Sequence, residues 1–304
     1  MNDTLSPLCS GLLKVSNIHK IHYATYGNPN GIPLLCFHGG PGGGFKDKYT
    51  AMTDMNKYYT IIFEQRGCGD SVPCAEIADN TCMDAVNDAA LLLEHLNIDK
   101  CIVMGFSYGS TLALAFAIKN PTKTIGVFVS SVFIPLSFND WFYGGGVKTL
   151  VPQAYENFIS VTKNTNPKEL FSEYDKASVT RKKEIAAALV TWELELFKGL
   201  KSITACSVDD VDDRLLTNKR IFLHYTANDF FGIGPWMKEN LLKIGHIPVH
   251  IVHGQLDYVS PVTVAHQIAE TLPNVTLTIM PQEGHVGSVI TTRLYAEVNS
   301  ATFI

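Results

Sequence analysis

The feature that most constrains this chain is a recurring unit, a short β-rich run that stops at a polar, usually glycine-containing loop and gives way to residues with helical spacing. Ile32 to Phe37 stops at His38-Gly39-Gly40-Pro41-Gly42, Tyr58 to Phe63 at Glu64-Gln65-Arg66-Gly67, and Cys101 to Met104 at Gly105-Phe106-Ser107-Tyr108-Gly109. Thr124 to Val132 is a further run. Ile247 to Val252 stops at His253-Gly254-Gln255-Leu256-Asp257, and Val275 to Met280 at Pro281-Gln282-Glu283-Gly284-His285. Near-continuous apolar strands alternating with helices predict an α/β fold with a mainly parallel sheet covered by helices on both faces. With 304 residues, 46% of them hydrophobic, the chain can bury a large core.

From about Phe133 to about Ile244 the alternation is lost, and helices rich in charge and aromatics replace it. This block, 133–244, is expected to be a helical cap inserted into a core made of 1–132 and 245–304. Insertions of that kind are tolerated at loops of a rigid scaffold and can shape a substrate pocket.

Composition removes several alternatives. A formal charge of -5, with Lys and Arg scattered, supplies no basic field for nucleic acid. No segment reaches the ~18 apolar residues of a membrane span, and the first ten residues lack a signal-peptide pattern, so a cytoplasmic protein is expected. Seven cysteines without CxxC or Cys/His spacing read as reduced packing residues rather than disulfides or a metal site. Oligomeric state is not legible.

The most specific chemical motif is Gly105-Phe106-Ser107-Tyr108-Gly109, between a strand and the helical run Ser110 to Lys119. A nucleophile on a tight strand-to-helix turn needs small residues two before and two after it, because neighbouring backbone comes close there. Ser107 is therefore the candidate nucleophile. A serine hydroxyl is weak at neutral pH and requires a base, which in turn requires a carboxylate to set its tautomer. Of the later histidines, His224, His246, His250, His253, His266 and His285, only His285 lies in the loop directly after the final strand. Asp257 ends the loop after the penultimate strand and is preferred as the acid over Asp229, which lies in the inserted block. The oxyanion hole is expected from the backbone N–H groups of Tyr108 and Gly40, with Gly39 beside the substrate.

With these residues in place, the chain resembles the proline iminopeptidase group of α/β-hydrolases along most of its length. The marks are His38-Gly39-Gly40-Pro41-Gly42, Gln65-Arg66-Gly67-Cys68-Gly69 with Ser71, Ser107-Tyr108-Gly109-Ser110-Thr111-Leu112-Ala113-Leu114, His253-Gly254 with Asp257, and Gly284-His285. The resemblance implies an α/β-hydrolase fold, a helical cap, no cofactor or metal, and release of N-terminal residues, often proline, from short peptides or amides. It also implies cap carboxylates that hold the substrate amine. Trp192-Glu193 matches one such motif and makes both residues candidate substrate contacts. The second motif aligns with Arg220-Ile221-Phe222-Leu223-His224-Tyr225, where Phe222 stands in place of the carboxylate.

The expected activity is thus that of a serine hydrolase, foremost an aminopeptidase or amino-acid amidase for a small substrate. The alternative is a hydrolase or acyltransferase for a neutral hydrophobic ester or amide. A noncatalytic ligand sensor on the same scaffold is the third possibility and would need only the pocket.

Overall fold

A computed structural model describes residues 6–45 and 52–303. The apolar runs form one sheet of β1 (Cys9–Lys14), β2 (Lys20–Gly27), β3 (Ile32–Phe37), β4 (Tyr58–Phe63), β5 (Cys101–Phe106), β6 (Thr124–Ser130), β7 (Val249–Gly254) and β8 (Val275–Met280). Their spatial order is β1-β2-β4-β3-β5-β6-β7-β8. The pairings from β4 to β8 are parallel, whereas β1 and β2 join antiparallel at one edge. These two strands had no expectation from sequence. β1 is largely exposed and carries little of the apolar signal that marks the central strands.

Alternate residues of each central strand feed opposite layers of core. Leu35, Phe37, Val103, Val127 and Val129 meet α1 (Cys82–His95) and α2 (Tyr108–Lys119) on one face. Leu34, Cys36, Ile102, Met104 and Phe128 meet α10 (Ser288–Ser300) on the other, through Ile290, Leu294, Tyr295 and Val298. Burial on both faces explains why these strands read as continuous apolar runs.

Between β6 and β7 the chain forms α3 (Phe138–Phe142), α4 (Pro152–Thr162), α5 (Pro167–Lys176), α6 (Val179–Phe197), α7 (Asp213–Ala227) and α8 (Ile233–Asn240), after which β7 pairs directly with β6. α9 (Thr263–Thr271) follows β7 and precedes β8. The insertion does not have a core of its own. Phe142, Tyr155, Phe158, Leu189 and Trp192 belong to the same buried cluster as Phe37, Val103 and Tyr108. Among the described residues, no helix is long and apolar enough to cross a membrane.

Candidate active site

The turn from β5 into α2 is built by close backbone contact. A Cβ on Gly105 would lie 2.1 Å from the Gly109 carbonyl oxygen, and one on Gly109 would lie 2.2 Å from that of Phe37. Neither position admits a side chain, which is why both are glycine. Ser107, between them, is held at φ 54° and ψ -126°, a left-handed backbone that a non-glycine residue adopts only under tertiary constraint. Its N–H donates to the Ser130 carbonyl (3.1 Å), which ties the turn to β6.

The Ser107 hydroxyl donates to His285 Nε2 at 2.6 Å, and His285 Nδ1 donates to Asp257 Oδ2 at 2.7 Å. A carboxylate facing Nδ1 keeps the proton there and leaves Nε2 free to accept. The other oxygen, Asp257 Oδ1, accepts from the backbone N–H groups of Val259 (3.0 Å) and Ser260 (2.8 Å), so each oxygen of the carboxylate has its own task. His285 and Asp257 are both buried. The three side chains arise at the carboxyl ends of β5, β7 and β8, where parallel strands of open α/β sheets bring functional groups together.

Further contacts hold the histidine. Its ring stacks on Phe197, with centroids 5.1 Å apart and planes at 26°, and its N–H donates to the Phe197 carbonyl at 3.2 Å. The Ser131 hydroxyl donates to the His285 carbonyl. Phe197 ends α6, so the insertion holds His285 directly. Close packing there also explains Gly284, since a Cβ at that position would lie 2.2 Å from the Phe197 oxygen. His253 is a buried brace. Its Nδ1 accepts from the Val132 N–H (3.1 Å), and its Nε2 donates to the Ser260 carbonyl (2.9 Å) while lying 3.4 Å from Asp257 Oδ2. Burial lowers its pKa below the ordinary histidine value.

The glycine-rich loop after β3 faces Ser107. A Cβ on Gly39 would lie 3.4 Å from that of Ser107, and Gly40 takes φ 136°, a conformation open to glycine. His38 locks this loop. Its Nδ1 donates to the Gly39 carbonyl (2.8 Å), its Nε2 accepts from the Gln65 N–H (3.1 Å), and Gln65 Nε2 donates to the His38 carbonyl (2.9 Å). Burial holds the His38 imidazole down to about 4, so it is neutral near pH 7. Arg66, in the loop after β4, grips buried Asp88 with two bonds of 2.7 Å. Tyr108 opens α2, where the first N–H groups have no intrahelical acceptor and the helix terminus favours negative charge.

A cavity of about 700 Å³ opens over Ser107 and His285. Of the candidate substrate contacts, Gly39, Glu193 and Phe222 line it and Trp192 does not; Gly40, the candidate oxyanion donor, lines it too. Trp192 lies behind the wall, 1% exposed, stacked on Phe158 with centroids 5.7 Å apart and edge-on to Phe142. Its neighbour on α6 points differently because successive helical residues are about 100° apart. Phe133, Phe138, Phe142 and Phe230 complete an aromatic wall. Phe230 sits in a run of left-handed backbone from Asp229 to Gly232, which turns its ring against Phe133 and Phe138 at 5.4 Å from each.

One lining residue escaped the sequence reading. Lys219 Nζ donates to Glu193 Oε2 at 2.5 Å, with the Lys219 side chain 4% and the Glu193 side chain 15% exposed. The ammonium also stands 5.3 Å from the Phe222 ring centroid. Lys219 and Phe222 are three apart on α7 and share a face, but that spacing does not point to Glu193 on α6.

The remaining candidates fall elsewhere. Asp229 is within reach of Asn139 in the insertion (3.4 Å), and His250 stacks on Phe128 at 4.5 Å. His224 bonds the Asn80 carbonyl, and His266 lies on α9.

Residues 32–289 match the α/β hydrolase fold family. A probable proline iminopeptidase of Leptolyngbya boryana is 35% identical over 288 residues, covering 92% of this chain and 89% of the relative. The proline iminopeptidase of Arabidopsis thaliana is 34% identical over 92% of this chain and 76% of its own. Among solved structures, an epoxide hydrolase from Vigna radiata superposes with a TM-score of 0.63 at 15% identity, covering 99% of both chains. A bromoperoxidase from Bacillus anthracis gives 0.62 at 16% identity, covering 95% of this chain and 98% of its own. At such identities the structural likeness establishes the fold alone.

Proposed function

Because the chain belongs to the proline iminopeptidase family of α/β hydrolases, we propose that it releases the N-terminal residue of a small peptide or amide through an acyl-enzyme on Ser107. The observation that carries this reading is the continuous hydrogen-bonded line from Ser107 through His285 to Asp257 at the floor of a cavity.

In this reading His285 Nε2 takes the Ser107 proton as Oγ attacks the carbonyl carbon. Asp257 stabilises the imidazolium that forms. The carbonyl oxygen becomes an oxyanion and is met by the N–H groups of Tyr108 and Gly40, whose dipoles are already oriented before charge develops. As the tetrahedral intermediate collapses, the bond to the leaving amine breaks and His285 passes its proton to the nitrogen. Water then repeats the sequence on the ester, with His285 again as base, and the acid leaves. Residues 133–244 act as the cap, supplying the aromatic wall around the acyl group and, through Phe197, the platform under His285.

A fluorophosphonate probe tests the nucleophile. Wild type is expected to label stoichiometrically and Ser107→Ala not at all, with p-nitroaniline release from amino-acid anilides falling by on the order of 10⁴-fold or more in the variant. Turnover that survives Ser107→Ala would remove Ser107 from the mechanism.

A further inference from the structure

The cavity over Ser107 carries one paired charge of each sign. Among its described lining residues, Glu193 is the single carboxylate and Lys219 the single Lys or Arg, and the two are bonded to each other at 2.5 Å. A substrate ammonium entering this pocket meets a carboxylate that already has a cation, and it meets that cation too. To bind Glu193 it must displace a side chain that is 4% exposed. Moving one buried charge off its partner leaves an uncompensated charge in an apolar surround, which is strongly unfavourable. The Phe222 ring under the Lys219 ammonium adds a favourable contact to the resident arrangement.

The pair still offers polar recognition. A lysine ammonium has three donors, and one goes to Glu193 Oε2. A carboxylate has lone pairs on two oxygens. The net charge presented is zero, with a donor and an acceptor side by side. The group complementary to that edge is a neutral one carrying an acceptor and a donor next to each other. A cis amide, held so by a lactam ring, has its C=O and N–H on one edge.

Accepting acyl transfer at Ser107 as argued above, we propose that the terminal residue accepted by this enzyme has its amino end as a neutral lactam in place of an ammonium, its carbonyl oxygen accepting from Lys219 and its N–H donating to Glu193. Lys219 is then a specificity-determining residue. It stands where a substrate amine would otherwise stand, and it converts an amine-binding carboxylate into half of an amide-binding pair.

L-pyroglutamyl and L-prolyl p-nitroanilide form a matched pair of five-membered rings that differ in this one respect. Wild type is expected to favour the pyroglutamyl substrate by at least about tenfold in kcat/KM. Lys219→Met frees the Glu193 carboxylate, so it should move the prolyl-to-pyroglutamyl ratio toward prolyl by at least about tenfold. Adding Glu193→Gln should reverse that gain, a response that a merely structural lysine would not produce. Titration with fluorophosphonate normalises each protein to its competent active sites. A wild-type preference for the free amine, or a ratio indifferent to Lys219→Met, overturns the proposal. So does labelling without turnover of either anilide. Absence of labelling in wild type overturns the acyl-enzyme reading itself and this one with it.

Discussion

The carboxyl edge of the sheet and the wall contributed by the insertion meet across one cavity, yet they are built by different means. At the sheet edge, position follows from the backbone. Ser107, Asp257 and His285 each follow a parallel strand, and parallel strands deliver their ends to one place whatever the intervening sequence does. Glycines at 105, 109 and 284 are forced by carbonyl oxygens that leave no room for a Cβ. In the wall, position follows from pairs of side chains on different helices. Glu193 on α6 means one thing alone and another with Lys219 on α7 bonded to it. The edge is therefore set by backbone geometry, and the wall by which side chains meet across helices.

The strongest way to break this contrast is at the edge, where one atom exchange should be enough. Asp257 Oδ1 accepts two backbone N–H groups, and Oδ2 faces His285. In Asp257→Asn the two N–H donors retain the amide oxygen at the Oδ1 position and drive the NH₂ toward His285. The imidazole must then accept at Nδ1 and carry its proton on Nε2, where it cannot take the Ser107 proton. Steady-state turnover should fall on the order of 10⁴-fold with the fold intact. A loss under tenfold, with unchanged thermal unfolding, would mean that the carboxylate does not set the tautomer.

How far each region was legible in the sequence follows the same division. The three edge residues were identifiable because strand runs and loop glycines are local signals. Gly39 and Gly40 carry the same kind of local signal, and both line the cavity. Trp192, a candidate through the Trp-Glu motif of the resemblance, lies outside the cavity lining because adjacent residues on a helix face different ways. Lys219 was missed because nothing local marks a lysine on an amphipathic helix as the partner of a glutamate on another helix. β1 was missed for a third reason, since an exposed edge strand lacks an apolar pattern.

A second test, still at the edge, uses pH. Buried His38 has its pKa held down to about 4, against an ordinary value of 6.5. Between those values the unfolded chain takes up a proton that the native loop does not. Stability should therefore fall as pH drops from about 6.5 to about 4 and level off below, with His38 alone contributing about 3 kcal/mol over that span. His253, also lowered by burial, acts in the same direction. Urea unfolding at pH 7 and pH 4.5 measures the slope. Equal midpoints at the two pH values would show that neither buried imidazole resists protonation.

The smallest effect lies in the insertion and sharpens the comparison most finely, because a positive φ at a non-glycine residue recurs there with a different ψ. Lys163 caps α4 at φ 56° and ψ 4°, in the left-handed helical region, whereas Ser107 combines φ 54° with ψ -126°. A left-handed non-glycine residue costs about 1 to 2 kcal/mol, part of which glycine gives back through its larger unfolded-state entropy. Lys163 is exposed, and its N–H bond to Ile159 (2.9 Å) is a backbone bond that glycine preserves. Lys163→Gly should therefore stabilise the protein by about 0.5 to 1 kcal/mol, read as a rise in the urea midpoint with anilide turnover unchanged. A drop in stability would mean that the lysine side chain supports the end of α4 through contacts that outweigh the strain. At Ser107 the corresponding change would remove the hydroxyl bonded to His285, whereas the Lys163 side chain is exposed and lies outside the cavity lining.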